Sequence, residues 1–111
     1  MSDYRREEAI SETRSRQTNE WIQEANDKFG AGHAMDEYRC ECSDRQCADL
    51  ISLTRVEYEA VRADGLRFII AVDHENPELD RLIAAHGRYS IVAKLPGEPA
   101  RIALDSDPRK D

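Results

Sequence analysis

All three cysteines of the chain, Cys40, Cys42 and Cys47, fall inside one eight-residue string, Cys40-Glu41-Cys42-Ser43-Asp44-Arg45-Gln46-Cys47. Thiols that close together suit a metal ion or redox chemistry. Zinc takes four tetrahedral thiolate or imidazole ligands, and the spacing C-x-C-x4-C supplies three of them from a strand and the turn after it. The fourth must come from elsewhere, and the chain holds three histidines, His33, His74 and His86. His74 is favoured, because it follows a buried strand in a loop where the backbone is free to aim an imidazole. His33, beside two glycines, ranks second. His86 sits near the expected C-terminus of a helix and on its apolar face, where packing or dipole compensation already accounts for it. A water or a carboxylate such as Asp44 or Asp73 would be the remaining choices.

The competing reading treats the cysteines as small buried hydrophobes. The intervening Glu41, Ser43, Asp44, Arg45 and Gln46 make the segment polar, a poor place for core cysteines. A redox pair, Cys40 or Cys42 with Cys47, stands next: Arg39 and Arg45 would lower a thiol pKa, while Glu41 and Asp44 oppose them. An iron–sulfur cluster would find only three of its usual four thiolates. Cys42 or Cys47 with His74 could pair a nucleophile with a base, yet no third orienting residue or oxyanion-forming loop accompanies them. The stretch Asp73-His74-Glu75-Asn76-Pro77-Glu78 reads as a solvated loop. No P-loop, dinucleotide-binding glycine pattern or H-E-x-x-H is present. The expectation is therefore a metal-binding domain that is not an enzyme.

The elements that must position these residues fit one domain of 111 residues. Apolar residues make up 40% and charged residues 35%, so the core is small and a metal would help it. The formal charge of −7 gives phosphate binding no obvious footprint, and nucleic acid is disfavoured because Arg39 and Arg45 are outnumbered locally by Asp36, Glu37, Glu41 and Asp44. No apolar run approaches a membrane span and no hydrophobic signal segment opens the chain. With an odd number of cysteines, a reducing, cytoplasmic setting is expected.

Residues 4–28 lack Gly and Pro and predict a helix ended by Phe29-Gly30-Ala31-Gly32. Trp21, Ile22, Ala25 and Phe29 share a face that should dock, whereas Ser11 to Glu20 offer almost nothing apolar to bury. The segment 1–17 is accordingly expected as a frayed helical extension, 18–105 as the domain and 106–111 as a solvated tail. Residues 35–42 alternate as a short strand carrying Tyr38, Cys40 and Cys42 on one side. Thr54 caps the next helix, with Glu57 completing a capping box and Leu53 with Tyr58 as a hydrophobic staple. Residues 67–72 predict a buried strand. Asn76 and Pro77 predict a second helix with Leu79, Leu82, Ile83 and His86 on one face. Residues 89–95 and 100–104 read as strands joined by a Pro96-Gly97 type II turn. The whole is an α+β fold: an N-terminal helix, a largely antiparallel sheet and two further helices, stabilised by zinc.

The C-x-C-x4-C string occurs in the zinc-binding post-SET segment of lysine methyltransferases, but no SET domain accompanies it here. Taken with Ile51-x-Leu53-Thr54-x2-Glu57-Tyr58-Glu59-x-Val61-Arg62, Phe68, His74-Glu75-x-Pro77-Glu78, Tyr89-x-Ile91-Val92-x-Lys94, Asp107-Pro108-Arg109 and Asn19-Glu20, the cysteine pattern resembles a family of small proteins from actinobacteria and other soil bacteria. The resemblance implies a Cys3His site and brings no reaction with it. Members carry Gly before the histidine, where this chain has Asp73. The reading as a whole is a zinc-stabilised module that binds another protein through its N-terminal helix, at a face of Arg14, Arg16, Glu20 and Glu24 or at the poorly hydrophobic first half. Its alternative is a thiol redox or zinc-release sensor using the same cysteines.

Overall fold

The computed structural model describes residues 2–28 and 35–110. Among them are a long helix α1 (Asp3–Lys28), a hairpin of β1 (Asp36–Arg39) and β2 (Leu50–Leu53), helix α2 (Arg55–Arg62), strands β3 (Arg67–Ile70), β4 (Asp80–Ala85) and β5 (Ser90–Lys94), and helix α3 (Glu98–Asp105). The strands form two antiparallel sheets, β1-β2 and β3-β5-β4. The core runs between them, with Tyr38, Leu53, Tyr58, Phe68, Ile69 and Ile70 fully buried. Tyr38 and Tyr58 stack with centroids 4.3 Å apart. This is the expected α+β class.

The Thr54 capping box is formed: the Glu57 amide donates to Thr54 Oγ1 at 3.0 Å and the Thr54 amide to Glu57 Oε1 at 2.8 Å. Leu53 and Tyr58, the expected staple pair, are both fully buried. The second further helix lies elsewhere than expected. After Asn76 a single turn closes, its carbonyl accepting from the Leu79 and Asp80 amides, and the chain then extends as β4 rather than coiling. Pairing with β5, in register Asp80 to Lys94, satisfies the backbone and buries Asp80 beside the Lys94 ammonium. Those cross-strand contacts override the helical spacing of Leu79, Leu82 and Ile83. Residues 100–104, expected as a strand, are instead the middle of α3. Gly97, at φ +100°, reverses the chain, and Pro99 in the first turn suits a helix start. Leu50–Leu53, which the sequence marks only as a lead into α2, is the second strand of the hairpin.

Helix α1 departs most from expectation. Trp21 is 62% exposed, whereas Ser11, Glu12, Thr13, Arg16, Asn19 and Gln23 are buried. The half expected to fray is therefore packed, and its docking face is polar. Arg16 donates to the Gly65 and Ala103 carbonyls at 2.8 and 2.6 Å, and its guanidinium lies 4.5 Å from the Phe68 ring centre. Lys94 bridges Glu12 and Asp80. Tyr38 donates its hydroxyl to Gln23. Glu12, Arg16, Asn19 and Gln23 each find a polar partner on another element, which is how a helix with few apolar residues docks at all. The described part of the tail is exposed apart from Asp107 but tethered, since Asp107 pairs with the buried Arg62 at 2.5 Å and Arg109 with Glu20 and Glu59. The helix end at Phe29 to Gly32, and with it the docking role expected of Phe29, lies outside the described residues.

Candidate metal centre

The 40–47 segment is the connection of the β1-β2 hairpin. The Cys40 amide donates to the Asp49 carbonyl at 3.0 Å and prolongs the ladder by one step. Beyond it the chain reverses at Asp44, whose Oδ1 accepts from the Gln46 amide at 2.9 Å and whose carbonyl accepts from the Cys47 amide at 3.0 Å. This side-chain-closed turn folds Cys47 back toward Cys40 and Cys42.

Glu41, between the first two cysteines, points the other way and is fully buried. Its amide donates to the Ile69 carbonyl, its Oε1 accepts from the Ile69 amide at 2.9 Å and its Oε2 from Asn19 Nδ2 at 2.8 Å. Burial pushes its carboxyl up to about 7, against those two hydrogen bonds. Glu41 thus clamps the cysteine loop to β3 and to α1. A charged residue between two cysteines gives no sequence signal for such a role, and local patterning marks it as solvent-facing.

The clamp brings the loop to the end of β3, where the fourth donor waits. The Ala71 amide donates to Cys40 Sγ at 3.1 Å, and the chain turns as the His74 amide bonds the Ala71 carbonyl. Asp73 makes that turn at φ +70°, the left-handed region that glycine enters most readily and aspartate tolerates. The imidazole Nδ1 then lies 3.4 Å from Cys40 Sγ and 3.7 Å from Cys47 Sγ. Donor atoms of Cys40, Cys42, Cys47 and His74 all lie within 4.8 Å of one another. Bonds of about 2.3 Å to sulfur and 2.0 Å to nitrogen in a tetrahedron would set the donors roughly 3.5–3.8 Å apart, so the cluster needs only small closure to take one ion.

Behind the imidazole, Nε2 faces Asp49 Oδ2 at 3.5 Å. A carboxylate at the outer nitrogen holds a ligating histidine in one tautomer and raises its basicity, and Asp49 occupies that place. Sequence reasoning missed Asp49; its position two residues after Cys47 is the only cue. Of the other histidines, His86 caps the β4-β5 turn and stacks on Tyr89 with centroids 4.9 Å apart. His33 lies outside the described residues. Asp44 and Asp73 serve the two turns.

The thiols share their protons unequally. A hydrogen bond from Cys40 holds Cys42 down to about 5, and the same contact, with burial, pushes Cys40 up; burial raises Cys47. Three thiolates cannot stand together in so small a volume without a cation. A divalent ion supplies the missing charge and would release protons as it binds. Geometry and donor chemistry therefore define a Cys3His cluster that could hold a metal. No protein-family model, curated protein or solved structure matches the chain.

Proposed function

We propose that Cys40, Cys42, Cys47 and His74 bind one Zn2+ in a closed structural site, and that the domain so stabilised is a cytoplasmic module that binds another protein rather than catalysing a reaction. The observation that carries the metal is the convergence of three sulfurs and an imidazole nitrogen within 4.8 Å, from two segments far apart in sequence. All four positions are taken by protein donors, which is the pattern of a structural rather than a catalytic zinc. The resemblance to small actinobacterial proteins agrees with it: the residue before the histidine stands at a φ where the glycine of that pattern would sit without strain. Zinc here would tie the hairpin to the end of β3, two regions with no strand pairing between them.

The face expected for the protein partner must be redrawn. Arg16 is buried, and Glu20 is engaged by Arg62 and Arg109. The outward side of α1 around the exposed Trp21 and Glu24 takes its place, since exposed tryptophan is typical of binding surfaces.

The test is metal content by mass spectrometry on protein purified without added metal, for wild type, Cys42→Ser and His74→Ala. One zinc per chain, lost in both variants with loss of cooperative unfolding, supports the reading. A metal-free wild type with three titratable thiols overturns it. Mild peroxide separates the sensor alternative, for which the half-exposed Cys47 offers an entry point: a structural site keeps its zinc, a sensor releases it and forms a reversible disulfide.

A further inference from the structure

Beside the metal loop lies a groove of about 200 Å³ lined by Ser11, Arg14, Ser15, Thr18, Arg39, Asp44 and Arg45. It collects side chains from three places: the outer face of α1, the last residue of β1, and the turn between Cys42 and Cys47. Spacings of 11, 14, 15 and 18 put the α1 contribution on one helical stripe. The chain carries net negative charge, yet this groove holds three arginines against one carboxylate.

Three of the five arginines without an ion pair among the described residues meet in this groove, the other two being Arg16 and Arg81. Among the described residues eight others form ion pairs with carboxylates. Arg14, Arg39 and Arg45 form none. Arg39 is held in place by its backbone, whose amide donates to Asn19 Oδ1 at 2.7 Å and whose carbonyl accepts from Asn19 Nδ2 at 2.9 Å. Its Nη2 donates weakly to the Cys47 carbonyl at 3.3 Å, and its Nε is buried with no partner at all. Among the described residues the hydroxyls of Ser11 and Ser15 have no hydrogen-bond partner, while Thr18 donates to the Arg14 carbonyl. Asp44, the one carboxylate, has an oxygen committed to the Gln46 amide. A zinc with three thiolates would carry a single negative charge, which one arginine offsets; three exceed that need.

We propose that this groove binds a phosphate group, as inorganic phosphate or the phosphomonoester of a small molecule, with Arg14, Arg39 and Arg45 as the cationic ligands and Ser11 and Ser15 as hydroxyl donors. Planar guanidinium groups match phosphate oxygens in pairs, and a dianion would offset the three unpaired charges. The volume is below that of ordinary drug-sized pockets, so the phosphate is recognised and the rest of an ester would project into solvent. The site does not require the zinc reading, since α1 and Asn19 position two of its arginines.

The test is calorimetric titration of the protein as purified with inorganic phosphate and with phenyl phosphate, for wild type, Arg14→Gln, Arg45→Gln and the control Arg81→Gln, which removes the same charge from exposed strand β4. Saturable binding weakened about tenfold or more by each of the first two substitutions, and unchanged by Arg81→Gln, supports the site. Phenyl phosphate binding at least as tightly as phosphate points to an ester; phosphate alone binding points to the free ion. Absence of saturable binding up to about 10 mM, or equal losses in all three variants, overturns the proposal. Arg14 is an exposed helix residue, so a folding failure of Arg45→Gln in the metal loop would leave the Arg14→Gln arm decisive.

Discussion

At the metal loop three thiols and an imidazole converge with no side-chain cation among them, whereas beneath α1 the ammonium of Lys94 stands between Glu12 and Asp80 and Arg16 lies across two backbone carbonyls. Both are buried polar clusters in a domain with a modest apolar core. They differ in the origin of the positive charge: the first would have to import it as an ion, whereas the second has it built into the chain. A cluster that imports its cation is a stability element only when loaded, and a cluster that carries its own holds from the start. On the proposed zinc site, the domain would join a conditional half, the hairpin against the end of β3, to an unconditional half, α1 against the sheet.

The sharpest way to break this contrast is to remove the imported cation. Cys42→Ser, or chelation of the wild type, is expected to abolish metal binding and the cooperative thermal transition, because structural zinc in zinc-finger peptides contributes on the order of 10 kcal/mol. Helical circular dichroism surviving in part would locate the residual structure in α1. If the transition persists unchanged, the metal half is not conditional.

Removing the internal cation comes next. Lys94→Met leaves Glu12 and Asp80 buried against each other and should cost about 3–5 kcal/mol by urea denaturation, with zinc content unchanged. Loss of zinc in this variant would show that the two halves are not separable.

Asp49→Asn keeps every direct ligand and removes only the carboxylate behind His74. Zinc affinity measured by competition with a chelator should fall about 10–100-fold while the loaded protein keeps its fold. An unchanged affinity would mean that Asp49 does not orient the imidazole.

The unconditional half also has a pH signature. Burial raises the carboxyl of Glu12 well above its ordinary value, outweighing the attraction of Lys94, and its Oε2 has no hydrogen-bond partner. The folded state therefore holds this proton where the unfolded state has released it, and stability attributable to Glu12 declines as pH rises above about 4.3. Glu12→Gln should gain on the wild type between pH 4 and neutrality, read as the difference between their denaturation midpoints. A difference that does not change with pH would place the charge of Glu12 elsewhere.

The smallest effects sharpen the local claims. Trp21→Ala should move stability by no more than about 0.5 kcal/mol, since the side chain is 62% exposed. Asp73→Gly should stabilise by up to about 1 kcal/mol by relieving the left-handed backbone, and Asp73→Val should destabilise. Thermal midpoints decide both.

Much of the site was legible because its information is local. The three cysteines sit in one string, and His74 was singled out by standing just past a strand that periodicity marks clearly. The capping box at Thr54 was equally plain, being four residues that bond to one another. Asp49 and Glu41 were not, because what defines them is a partner across the fold: an imidazole from the β3 end for one, the Ile69 amide and Asn19 for the other. The same holds for the errors. Leu79, Leu82 and Ile83 have helical spacing, but β5 offers Asp80 a buried lysine and a ladder, and no window of the sequence contains Lys94. Residues 100–104 carry strand-like apolar character, but Gly97 and Pro99 start a helix that packs its Ala103 inward.

The sequence by itself determined the candidate thiol cluster, the start of α2, the buried strand β3, and the antiparallel α+β class, since each follows from residue types and spacings within a few turns of chain. Only the tertiary structure decided which face of α1 is inside, which arginines are paired and which stand free beside the metal loop, and that an aspartate steadies the histidine. An ionisable side chain reads as exposed until its partner is located, and here the partners of Glu12 and Arg62 lie 82 and 42 or more residues away along the chain. Burial of charge is a property of pairs, and pairs at that separation exist only once the chain has folded.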